Sequence, residues 1–397
     1  MKISKTHELR NRVIFTVFVL IVYLLARTIL LFGVSADDGN GADAQSIFQM
    51  MLSGDRYRNT IMALGIIPYI NASLLVQIIS ALKSAASRTK VSKQKSDRWL
   101  MIAGIIIAGF MAVITACDMD YSTDALPLAA LRAIAAAEMF CGSMLATFLC
   151  MKNEKHGIGV SMPIILVNIL TSLSAALAIN HYFRYAGLIV GSLAVIAVTI
   201  FMENSIIKIP MQRVSIHNIH AEQNYLAYKR TPMGIMPVML AATAFVIPGY
   251  FIRMLMFFFP DSAPLVEIYE NMQLTKPEGI VVYLVIIFVL TIAFSMIMLN
   301  PWETANQLQR NGDSIIGMYP GRDTAHFLAK TVLKWSFVSA ILQAGCMAVS
   351  LILAYTGVIP AGLAMVPASI MIVVSIACSL AQESAVYCRY DAYKFFV

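Results

Sequence analysis

The chain has 397 residues, 59% of them hydrophobic and only 13% charged, where a soluble domain carries about a quarter. That balance excludes an ordinary soluble domain and points to a membrane protein with many crossings. The net charge of +7 needs no nucleic-acid partner, because Lys and Arg collect in the inner loops of membrane proteins.

One crossing takes about 20 apolar residues. Ten segments meet that length: 13–33, 61–82, 99–117, 126–151, 158–180, 185–207, 233–259, 279–300, 331–355 and 361–382. All are predicted as helices, since an open sheet edge cannot be satisfied in lipid. The first follows Lys2, Lys5, Arg10 and Arg12, which puts the N-terminus inside, and it is too long for a cleaved signal peptide. The loop at 83–98 carries Lys83, Arg88, Lys90, Lys93, Lys95 and Arg98 and is inside. The loop at 118–125 carries Asp118, Asp120 and Asp124 without Lys or Arg and is outside. Loops 208–232 and 301–334 are basic and inside, and the acidic 260–278 loop is outside. Ten crossings with both termini on the inner side satisfy every loop.

The second crossing reads "LGIIPYINASLLVQIIS" from Leu64 to Ser80. Pro68 removes a backbone donor and would strain a helix around it. Asn71, Ser73 and Gln77 are costly in hydrocarbon unless they meet partners or water. The seventh crossing contains "GIMPVM" from Gly234, which repeats the glycine and proline of "GIIPYI" from Gly65. Five crossings separate the two, so the halves insert with opposite orientation, and matching broken segments mark the working site. A transporter and a protein-conducting channel both fit that pattern.

Arg27 sits where its side chain can snorkel outward. Arg132 and Glu138 are six residues apart, too far to pair on one helix face, so each needs its own partner. Six cysteines, Cys117, Cys141, Cys150, Cys346, Cys378 and Cys388, show no CxxC and are expected as free, buried thiols. The sequence has no GxSxG, no HExxH and no Walker motif, so no enzyme, metal or cofactor is expected, and energy must come from elsewhere.

Several stretches resemble the SecY family of protein-conducting channels, in order along most of the chain. "LGIIPYINASLLVQIIS" is similar to its second helix, "EKHGIGVSMPIILVNI" (Glu154 to Ile169) to its fifth, and "GIMPVML" to its seventh. "KIPMQR" (Lys208 to Arg213) resembles the segment after the sixth helix, and "AQESAVYCRYDA" the last helix. "NPWETANQLQRNGDSIIGMYPGRDTAHFLAK" (Asn300 to Lys330) is similar to the loop after the eighth helix and is the most specific match.

The resemblance implies an all-α polytopic fold of ten helices in two inverted halves. Residues 1–180 form the first half, with a plug segment at about 43–59. Residues 181–397 form the second, with inner loops at about 208–232 and 301–330. It implies an apolar pore ring of Ile66, Ile70, Met162, Leu166, Met236 and Ile372. The plug carries Ile47, Phe48, Met51 and Leu52 at amphipathic spacing. A lateral gate toward membrane lipid would include Asn71, Leu74, Gln77 and Ala242. The loop residues Lys208, Arg213, Lys229, Arg230, Arg310, Tyr319 and Arg322 would meet a SecA-type motor ATPase. A small SecE-like single-span subunit or accessory Sec proteins, and an unfolded preprotein, complete the implied partners. Tyr319 stands where the family's GIRPG has arginine, and the chain is short. These departures resemble the accessory SecY type of Gram-positive bacteria, which works in the plasma membrane with its own SecA and exports serine-rich glycoprotein adhesins. A divergent housekeeping SecY and an inverted-repeat secondary transporter are the alternatives.

Overall fold

The structure is a computed structural model that describes residues 8–34, 59–87, 93–117, 119, 121, 127–180, 182–213, 225–234, 236–239, 241, 244–245, 248–249, 252, 255, 267–269, 271–272, 274 and 276–393. The first half contributes α1 (Glu8–Ala26), α2 (Ile67–Ser87), α3 (Lys93–Cys117), α4 (Leu128–His156) and α5 (Met162–Ile179). The short 3-10 turn Tyr182–Arg184 leads into α6 (Ala186–Asn204). The seventh crossing is described at scattered helical residues from 236 to 255. It is followed by α7 (Pro277–Leu299), α8 (Pro301–Arg310), α9 (Arg322–Tyr355) and α10 (Val366–Tyr393). Seven of the described helices are long and apolar enough to cross a bilayer.

Their outward faces are apolar. Ile102, Ile105 and Ile106 on α3, Val190 and Leu193 on α6, and Val281 and Val285 on α7 are all exposed. A helix greasy on every side keeps one face for its neighbours and the other for lipid. Three of the cysteines, Cys117, Cys141 and Cys388, are also exposed, and only Cys150 is fully buried, contrary to the expectation of six buried thiols.

The helix bundle closes on two sides. On one, α1 packs against α4, α5 and α10, and α5 packs against α10. On the other, α2 lies against α3 and touches α7. Between them runs the largest hydrophobic cluster, fed by α1, α2, α5, the seventh crossing, α7 and α10.

The inner loops are more ordered than the all-helical expectation. Strands β1 (Ile206–Arg213), β2 (Tyr225–Lys229) and β3 (Asp313–Ile315) form an antiparallel sheet in the order β2-β1-β3. Ile207 faces Tyr228, and Met211 faces Ile315. Ile209, Met211 and Ile315 bury one side of the sheet against Ala305 and Leu308 of α8 and Ala325 and Leu328 of α9. The corner between α7 and α8 is built by Asn300. Its backbone turns left-handed at φ 36°, and its side chain accepts a hydrogen bond from Glu303 N at 3.4 Å, while Pro301 opens α8. The ninth helix therefore begins at Arg322, nine residues before the predicted crossing.

Candidate functional site

Neither proline of the repeated motif interrupts a helix. Gly65 adopts φ 50° and Gly234 φ 58°, a left-handed conformation that costs glycine little. Each glycine ends a turn and a helix follows: α2 begins at Ile67, and the first described helical residue of the seventh crossing is Met236. Pro68 and Pro237 therefore stand in the first turn, where a missing N–H costs nothing and a fixed φ helps. The strained-helix expectation for Pro68 is corrected accordingly. Residues 61–66 are turns, and the chain before α2 is tied to the end of the first crossing, with Leu31 N donating to Asn59 O at 2.8 Å and Ile61 N to Ile29 O at 3.0 Å.

These helix starts carry the residues expected at the ring. Ile66, Ile70 and Ile372 are buried in a single cluster, and Met162 and Leu166 pack against it. Met236 lines a cavity of about 370 Å³ together with Ile70 and Met162. The cavity opens on the side of the bundle that carries the sheet, where Glu203, Lys229 and Pro232 also line it. Its wall is soft and weakly polar, with Met233 and Met239 beside Ser73 and Ser375. Thioether side chains adapt to irregular surfaces at low cost.

Asn153 at the end of α4 sets where α5 begins. Its Nδ2 donates to Ile158 O at 3.0 Å and Val160 O at 2.7 Å, and Thr16 of α1 donates to its Oδ1 at 3.1 Å. Gly159 N donates to Glu383 Oε2 of α10 at 3.1 Å. The segment "GIGVSM" is thus clamped between α1, α4 and α10, and it delivers Met162 to the cluster. Higher in the same bundle, Asn168 Nδ2 donates to Tyr23 Oη at 2.8 Å.

On the opposite side of the bundle, α2 is less well satisfied. Asn71 Oδ1 and Gln77 Oε1 are buried without a hydrogen-bond partner among the described residues. Ser73 turns its hydroxyl back to Ile70 O at 2.8 Å. Leu74 lies on α2 with its side chain outside the described residues, and Ala242 lies outside them altogether, as do Ile47, Phe48, Met51 and Leu52 of the expected plug. Of the isolated charges, Glu138 accepts from Phe32 N at 3.0 Å and Arg27 donates to Thr171 Oγ1 at 3.0 Å. Arg132 Nε is buried without a hydrogen-bond partner among the described residues.

The basic loop residues divide into two groups. Lys208, whose ammonium lies 4.8 Å from the Tyr225 ring centre, Arg310 and Arg322 are exposed, and Tyr319 is 82% exposed at the tip of its loop. Lys229 and Arg230 are instead engaged within the bundle. Lys229 Nζ reaches Glu203 Oε2 at 3.4 Å and Gln382 Oε1 at 2.9 Å. The Arg230 guanidinium sits 5.5 Å from the Phe201 ring centre and 5.1 Å from that of Trp335. Arg213 ends β1, with its side chain outside the described residues. Glu203 had no place in the sequence reading. An acid at the end of an apolar run looks like an ordinary interfacial charge, and only the fold reveals that it is buried.

The SecY family model matches residues 60–381. The chain belongs to the SecY family. Among its relatives, the accessory Sec system protein translocase subunit SecY2 of Leuconostoc gelidum subsp. gasicomitatum is 27% identical over 362 residues, covering 85% of each chain. The subunit of the same name from Streptococcus pneumoniae is 25% identical, covering 83% of this chain and 84% of its own. The solved structure described as that of a protein conducting channel superposes with a TM-score of 0.68 at 15% identity, covering 96% of this chain and 93% of its own. Sec61 in the canine ribosome-channel complex gives 0.59 at 15% identity with the same coverage. The chain is thus a multi-pass membrane protein with the fold of the SecY channels.

Proposed function

We propose that this chain is the channel subunit of an accessory Sec translocase, passing unfolded secretory polypeptides across a bacterial plasma membrane. The observation that carries the reading is the meeting of Ile66, Ile70 and Ile372 in one apolar cluster with Met162 and Leu166 packed on it, beside a cavity that Met236 helps to line. A narrow apolar waist holds water poorly and offers an ion nothing in place of its hydration shell, so it resists leak. It also makes no specific demand on a passing side chain.

In this reading residues 1–180 and 181–397 are the two halves, both termini are cytoplasmic, and the segment at 43–59 is the plug. Asn71, Leu74, Gln77 and Ala242 border the lateral gate, where a signal helix and membrane lipid meet the channel. The sheet and α8 face the cytoplasm and receive a SecA-type motor through Lys208, Arg213, Arg310, Tyr319 and Arg322. A SecE-like single-span subunit or accessory Sec proteins clamp the halves, and no nucleic acid takes part. The chain performs no chemistry itself; the SecY family is a non-enzymatic pore. The accessory names of its relatives support a serine-rich glycoprotein adhesin as cargo.

Arrested-cargo crosslinking tests this. A photoreactive residue at Ile66 or Met236 should capture a stalled adhesin preprotein in membranes containing the cognate motor, whereas one at lipid-facing Val285 should not. Capture at Val285 but at neither ring position would refute the reading. Capture of a general secretory preprotein with equal yield would favour a housekeeping channel.

A further inference from the structure

We propose that Glu203 is a positioning residue of the closed channel: its carboxylate holds the start of the seventh crossing in place, and Lys229 couples that hold to the sheet. The inference rests on the channel reading above and adds a device that links the sheet to the waist.

Glu203 lies in the last turn of α6 and is only 4% exposed. Three different elements converge on it. Ser375 of α10 donates to Oε1 at 2.6 Å, Lys229 at the end of β2 approaches Oε2 at 3.4 Å, and the backbone of Gly234 lies directly against the carboxylate. A Cβ on Gly234 would stand 2.8 Å from Oε1 and press on the carboxylate, and the φ of 58° favours glycine there. The other side of Gly234 is held by Gln343 of α9, whose Nε2 donates to the Gly234 carbonyl at 2.9 Å. Two residues later comes Met236. Met236 thus lies seven positions beyond Lys229, and Glu203 meets this stretch at Lys229 and beside Gly234.

A buried carboxylate is an expensive way to pack three helices together. Desolvation costs several kcal/mol, and an apolar residue of similar size commonly serves stability as well or better. What a carboxylate adds is dependence on its counter-charge. Lys229 has a half-open side chain, and both members of the pair line the cavity that contains Ile70 and Met236. A partner that displaces β2 withdraws the ammonium, leaves the carboxylate unbalanced in the cavity wall, and loosens its grip on Gly234. Met236 then moves out of the waist.

The experiment is ion flux through the whole purified protein in vesicles of phosphatidylethanolamine and phosphatidylglycerol, without a motor. Lys229→Met strands the charge and should raise resting flux roughly tenfold or more, the scale of a charge-assisted hydrogen bond lost from a buried group. Glu203→Gln keeps an acceptor for Ser375 and should raise it less. The double variant should fall back to the Glu203→Gln level, because the stranded charge is gone. Ser375→Ala, which leaves no charge unpaired and is the mildest, should shift flux in the same direction. Thermal unfolding of each variant runs alongside. Wild-type flux in the folded variants with lowered thermal stability would overturn the proposal, leaving the pair a packing feature. So would strictly additive effects in the double variant. Ile66→Asn separates the two levels: if it leaks while the pair variants stay quiet, only the latch fails, and if it too is quiet, the channel reading falls with it.

Discussion

Replacing Ile66 with asparagine gives the sharpest test of the waist. Ile66 is 0% exposed and belongs to the cluster that includes Ile70 and Ile372. Withdrawing an isoleucine side chain from such a cluster costs about 1.5–3 kcal/mol. Placing an amide there without partners costs about 1–3 kcal/mol more. When the channel opens, the ring faces water or a polypeptide and both penalties vanish, so they act on the closed state alone. The closed-to-open ratio should fall by about two to four decades at 1.4 kcal/mol per decade. Single-channel recording in planar bilayers without motor or cargo reads this directly as openings that the parent protein lacks. Ile164 provides the control, because it is equally buried at 0% in the same cluster but is not one of the residues expected at the ring. Ile164→Asn should lower stability and leave the bilayer electrically quiet. Equal leak from both variants would mean general loosening of the bundle, and silence from a folded Ile66→Asn channel would refute the assignment of this residue to the seal.

Three further outcomes follow from the geometry. Gly142→Ala should destabilise the protein by about 1–3 kcal/mol in detergent–denaturant unfolding, because a Cβ would overlap Ile61 O and lie 2.9 Å from Ile61 C, backbone atoms with no room to retreat. Asn153→Leu should cost about 1–3 kcal/mol on the same scale, since the carbonyl of Ile158 loses a buried donor, while that of Val160 is partly open to solvent. Arg310→Glu with Arg322→Glu should weaken motor binding in vesicle flotation, most strongly at low salt, because both are exposed and separated from the bundle interior; an unchanged affinity would remove these side chains from the docking surface.

The crossings were readable because their signals are local and repeated. Apolar runs give the spans, and the glycine three residues before Pro68 repeats as Gly234 three residues before Pro237. The role of Pro68 was misread because a left-handed turn at Gly65 is invisible in composition; with it, proline starts the helix instead of bending it. The sheet did leave a trace, since Ile207, Ile209 and Met211 alternate with Lys208, Pro210 and Gln212. That period was masked by the expectation that everything between crossings is loop. Asn153 and Glu203 could not be found in this way. Thr16 is 137 residues from Asn153, and Ser375 is 172 residues from Glu203, so neither polar contact has a local pattern. Lys229 and Arg230 look like any other loop cations until the fold turns them inward.

The distribution of satisfied polar groups also decides where two halves of this shape can part. Where α1 and α5 meet α10, the halves are joined by directional contacts: Glu383 accepts from Gly159 N at 3.1 Å, and the Arg12 guanidinium, which donates to Gly157 O at 3.1 Å, lies 4.5 Å from the ring centre of Tyr387. Each such bond must be broken if that side opens. Where α2 meets α7 the balance is reversed. Asn71 and Gln77 of α2 bury carbonyl oxygens that have no partner among the described residues, so if they border the proposed gate, separation would release two unsatisfied acceptors to whatever enters the seam. A water, a backbone N–H or a polar group on an incoming helix would all be better company than the closed interface. In the proposed channel, the side joined by hydrogen bonds would serve as the hinge, and the side with orphaned acceptors would be the one that yields.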